Sequence, residues 1–180
     1  MTKNHPWSGV HDDLLAAQRY VYGPSGFACS RPVPEPESAE YAAYGFTLDG
    51  RSVRFRVAKT TPTKAGQFVT VWQRSTAGPI RPFDVDDKVD LFVISSRDVG
   101  GRDDGRFGQF VFPREVLCRR GIVSRAGTGG KRGFRVYPPW VTPTSRQAAG
   151  TQEWQVNHFL RLGEDGTAVD LGRAASLYGA

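Results

Sequence analysis

Residues 51–74 hold six basic side chains (Arg51, Arg54, Arg56, Lys59, Lys64 and Arg74) and no acid. Cations at that density suit a polyanion, whose phosphates they neutralise as counterions leave. Val53, Phe55 and Val57 alternate with Arg54, Arg56 and Ala58, which is the period of a β-strand, and the alternation carries Lys59 onto the apolar face. A lysine there either snorkels outward at the strand end or stands at a pocket rim, aimed at a phosphate or carboxylate. Asp90 shares a face with Phe92 and Ile94. An acid in that position requires a buried cation, hydrogen bonds or a divalent metal. Gln67 follows Lys59 on the way into the next strand, where Trp72 either fills core or, with Arg74 nearby, stacks a base. Residues 129–140, GGKRGFRVYPPW, interleave Lys131, Arg132 and Arg135 with Phe134, Tyr137 and Trp140. That pattern suits a nucleic-acid surface and equally an edge strand protected by charge.

The wider charge pattern supports an anionic partner. Net charge is +6 over 180 residues, distributed as −3 for residues 1–50, +6 for 51–74, −3 for 75–105, +8 for 106–146 and −2 for the remainder. Two basic blocks alternate with acidic ones, and a sheet that joined them would form one positive surface. Neither a GxSxG, a P-loop, an HExxH nor a CxxC motif occurs. Cys29 and Cys118, with His5, His11 and His158, do not reach zinc-finger spacing, and the thiols are expected free and buried in a reducing cytoplasm. The first ten residues have no apolar run, and no stretch approaches the ~18 apolar residues of a membrane span, so neither leader nor membrane contact is expected.

The elements that must position these groups are mostly strands. Gly 21 and Pro 12 favour strands and turns. Residues 11–22 read as a helix with Asp12 and Asp13 in its first turn, followed by a Pro-rich loop over 31–38. Strands are predicted at 42–48, 52–59, 67–74, 89–95, 107–112 and 133–137, the first two joined by the hairpin signal Asp49-Gly50. Residues 113–121 read as a short helix, and 151–162 as another with Thr151 as N-cap. Asp84, Asp86 and Asp87 read as a solvated turn. Trp154 reads as core. Gly-Gln-Phe-Val occurs at 66–69 and again at 108–111, without wider self-similarity. Residues 1–162 are expected to form one domain, with 163–180 a mobile tail.

The segments at 55–74 (FRVAKTTPTKAGQFVTVWQR), 90–97 (DLFVISSR), 106–124 (RFGQFVFPREVLCRRGIVS), 130–140 (GKRGFRVYPPW) and 151–154 (TQEW) together resemble the MepB family. The resemblance implies an α/β (α+β) restriction-endonuclease-like fold, a mixed sheet flanked by helices, and a nucleic-acid partner, DNA or RNA. Nucleases of that PD-(D/E)XK-like fold hold a divalent metal on an Asp and a Glu(Gln)-x-Lys, and the metal activates water. No Glu-x-Lys or Gln-x-Lys occurs here, and Asp86-Asp87-Lys88 has acid-x-Lys spacing only in a turn. The leading expectation is therefore a nucleic-acid-binding protein on a degenerate nuclease scaffold, needing no cofactor. Arg54, Arg56, Lys64, Arg74, Lys131, Arg132 and Arg135 would meet phosphates. Lys59 and Gln67 would line the cleft, and Trp72 would be available for stacking. The alternatives are an active nuclease, with magnesium or manganese held near Glu40, Lys59 and Asp90, and a ligand- or protein-binding module linked to multidrug-efflux regulation.

Overall fold

The fold, obtained as a computed structural model, describes residues 7–74, 78–98, 105–163 and 168–179. The start of the chain, read above as leaderless, and residues 164–167 of the expected tail lie outside that set. Among the described residues, eleven strands form three sheets. The largest has the order β1 (Val33–Pro34), β2 (Tyr44–Leu48), β3 (Arg51–Val57), β8 (Leu91–Arg97), β9 (Arg106–Pro113), β11 (Phe159–Gly163), with β3 and β8 parallel and the other neighbours antiparallel. A second sheet has the order β10 (Gly133–Val136), β5 (Gln67–Thr70), β4 (Lys59–Thr60), and β6 (Trp72–Arg74) pairs with β7 (Ile80–Pro82) as a separate ribbon. With its helices this is the α+β mixed-sheet architecture expected. Leu48 pairs with Arg51 across Asp49 and Gly50, whose φ values of 49° and 79° are those of a primed two-residue turn.

Each face of the large sheet is covered. Val53, Phe55, Leu91, Val93 and Val111 pack against α1 (Asp12–Ala17), the π-turn that continues it, and α4 (Leu171–Gly179). Phe92, Ile94, Phe110 and Phe112 face the other way, onto Val69, Phe134 and Val136 of the second sheet and onto Leu117 of α2 (Arg114–Arg119). Cys29 and Cys118 form no disulfide and are half-buried rather than enclosed; burial and nearby Asp49 push the Cys29 thiol up to about 11. No helix among the described residues is long and apolar enough to cross a membrane.

Four sequence expectations change. The strand expected at 52–59 is two strands, because the chain leaves the large sheet after Val57 and enters the second as β4. The strand expected at 67–74 divides between two sheets as β5 and β6. The helix expected at 151–162 is α3 (Arg146–Gln155), capped by Ser145 rather than Thr151, and its apolar end is the strand β11. The expected tail contains α4, which buries Ala174, Leu177 and Tyr178. Tyr178 donates to Gln109 at 3.0 Å and shares a hydrogen bond with Tyr22 at 3.0 Å, while Arg51 donates to the Tyr178 and Gly179 carbonyls.

Candidate functional site

The loop between β4 and β5, strand β10 and helix α3 enclose a groove of about 630 Å³. Its walls are held by hydrogen bonds that originate in a few side chains. Arg135, on β10, donates to Thr61 Oγ1 at 2.6 Å and to the Ala65 carbonyl at 3.3 Å, which fixes the β4–β5 loop. Gly66 ends that loop at φ 76°, with the Tyr137 ring so close that a Cβ would lie 2.7 Å from it. Gln155, fully buried at the end of α3, donates to the Arg135 carbonyl and accepts from the Tyr137 N–H, both at 2.8 Å. Its side-chain amide thereby bridges a carbonyl that β10 turns away from β5 and the N–H of the residue just past the strand. Gln152 adds bonds to the Pro138 and Val141 carbonyls at 2.9 and 2.7 Å, and Ser145 accepts from the Ala148 N–H at 3.1 Å.

Among the described residues, the groove is lined by Lys64, Arg120, Lys131 and Arg135 and by no carboxylate. Lys64, Arg120 and Lys131 are exposed and have no ion-pair partner among the described residues. Ile122, Phe134, Ala148 and Trp154 supply apolar surface. The half-buried Trp154 ring packs on Phe112 at 5.5 Å between centroids and carries the Arg120 guanidinium at 4.9 Å. The sequence pattern places Trp154 in the core and marks Arg120 with no role. The signal that would have found them is the +8 block preceding a polar helix with one large ring, but only the fold sets that helix against β10.

Three predicted residues, Lys64, Lys131 and Arg135, meet in this groove, with Arg135 spending its donors on the loop. The others lie elsewhere. Arg132 is exposed next to it, outside the lining. Arg54 and Arg56 turn to Glu35 of the Pro-rich loop, at 2.8 and 2.5 Å, and are not available to phosphates. Burial pulls the Arg56 pKa down from its ordinary value, opposed by Glu35. Gln67 is buried with its amide spent: it donates to Thr60 Oγ1 and the Arg97 carbonyl and accepts from Ser96. Trp72 and Arg74 belong to the β6–β7 ribbon, outside the groove.

The proposed catalytic set does not assemble. Lys59 is 47% exposed, 3.7 Å from Glu40 and 4.7 Å from the Tyr41 ring centroid. It points outward because the second sheet covers only its inner face, so the face that is core on β3 becomes surface on β4. Asp90 is exposed, not set on an apolar face, and accepts from the Ser52 N–H at 2.8 Å. Ser52 lies seven residues before Lys59 along the chain, which at a strand's rise is roughly 20 Å. Among the described residues no group of three or more His, Cys, Asp or Glu is placed to hold a metal. The aspartates at 84–87 form a bonded turn: Arg81 grips Asp87 at 2.6 and 2.8 Å, and Asp84 accepts from Gly127, Ser124 and Asp86, which together hold its carboxyl down at about 2.

A family model described as MepB-like matches residues 35–161. The chain belongs to the MepB-like family. The crystal structure of MepB is similar over 87% of this chain and 99% of that one, at 30% identity and a TM-score of 0.69. No curated protein matches the chain. The family match begins at Glu35 and ends in β11, so it takes in the groove and strands β2 to β10 and leaves β1, α1 and α4 outside.

Proposed function

We propose that this MepB-like chain is a nucleic-acid-binding protein of the cytoplasm, on a nuclease-like scaffold that binds without cutting. The observation behind the reading is the groove, where, among the described residues, four cations and no carboxylate surround apolar and aromatic surface. Such a site favours a polyanion over a neutral ligand, because three of the cations have no partner among the described residues to neutralise them. The separation of Asp90 from Lys59 and Glu40 favours binding over metal-dependent hydrolysis.

Salt titration of binding to DNA and RNA oligonucleotides is the test. Phosphate contacts give a log–log slope of about −0.7 to −0.9 for each phosphate neutralised, so three contacts weaken binding roughly 20- to 40-fold between 50 and 200 mM salt. Lys64→Ala and Lys131→Ala are each expected to flatten that slope by about one and to weaken all sequences alike. Undetectable binding at low salt would refute the reading.

A further inference from the structure

We propose that the groove is built for single-stranded nucleic acid, with an unpaired base inside it and the phosphates on its rim. The proposal rests on the nucleic-acid reading above and goes further, to the state of the strand. Ile122, Phe134 and Ala148 are buried and form the inner surface with Trp154, whereas Lys64 and Lys131 are exposed at the mouth. Apolar inside and cationic outside is the reverse of what a duplex presents, since a duplex stacks its bases within and displays phosphates. Proteins read a duplex by laying an element into a groove ~12 Å wide, and this site is concave, with nothing to insert.

An unpaired base has the matching chemistry. Its flat faces are apolar, its edges make hydrogen bonds, and its phosphate is joined to it through a flexible sugar. The volume of about 630 Å³ lies within the roughly 300–1,000 Å³ of pockets that enclose small ligands. Trp154 provides the stacking surface inside an electrostatic funnel. Arg120 covers that ring at 4.9 Å, and as an exposed side chain it is able to swing to a phosphate and yield the ring to a base. Gln147 and Thr151, one turn apart on α3, present polar atoms to the base edge.

The experiment compares a fluorescein-labelled oligothymidylate with a hairpin duplex of equal phosphate number, by anisotropy on the full chain at low salt. The oligothymidylate is expected to bind at least about tenfold tighter. Trp154→Ala is expected to cost it about tenfold with the salt slope unchanged. Because Trp154 also packs on Phe112, a second variant keeps the test independent of folding. Gln147→Trp alters an exposed side chain, adds no charge and fills the groove, and it is expected to weaken the single strand similarly while sparing the duplex. A duplex bound as tightly, or two silent variants, would overturn the single-strand proposal and leave nucleic-acid binding standing. No binding of either probe overturns both.

Discussion

Arg56 shows how a basic residue can be diverted from the surface. It is 2% exposed, and its nearest anion is Glu35, which also reaches Arg54. Removing one partner of a buried pair leaves an uncompensated charge in low dielectric. Glu35→Gln is therefore expected to destabilise the fold by about 3 kcal/mol, read from urea denaturation, because Arg56 stays charged and buried. Adding Arg56→Met to that variant is expected to restore most of the loss, since an apolar side chain of similar length needs no counter-charge. The alternation of Arg54 and Arg56 with Val53 and Phe55 was legible in the sequence. Their partner was not, because Glu35 lies in a Pro-rich segment with no periodicity that could place it over β3.

At the scale of elements, α4 is the part least visible beforehand. Its segment is small and polar on one side, and its value comes from Leu177 and Tyr178 reaching a core assembled by distant strands. Tyr178→Phe removes the hydroxyl that serves Gln109 and Tyr22, both buried, and is expected to cost about 1–3 kcal/mol in chemical denaturation. The effect should exceed that of Tyr20→Phe on the partly exposed side of the same N-terminal turn. The strands at 42–48 and 107–112 and the Asp49-Gly50 hairpin were readable because alternation and turn chemistry are local. The division of 67–74 was not, since β5 pairs with β10 whereas Trp72–Arg74 turn to β7, partners set by tertiary folding. The two Gly-Gln-Phe-Val segments also look alike for separate reasons. Gly66 yields to Tyr137 and Gly108 to Phe159, whose ring a Cβ at Gly108 would meet at 2.2 Å. Their glutamines approach the adjacent Ser95 and Ser96 from opposite faces of the sheet, Gln67 bonding Ser96 and Gln109 standing opposite Ser95.

For the whole molecule, the sequence disclosed the charge blocks and three of the groove's four cations, while their convergence required two stacked sheets. Lys64 and Lys131 are 67 residues apart in sequence and share one cavity only because β5 and β10 pair. The strand that closes this second sheet has a further consequence. An unpaired strand edge is a template for another chain. Gln155 occupies the Arg135 carbonyl of β10 and the Tyr137 N–H just past it with one side-chain amide, in the manner of a neighbouring strand. Gln155→Leu would vacate both groups while keeping the helix and its bulk. Light scattering on that variant is expected to report concentration-dependent aggregates that Gln152→Leu, farther from the strand, does not form. The same glutamine that holds the wall of the groove would then also be what keeps the protein from polymerising through its own edge.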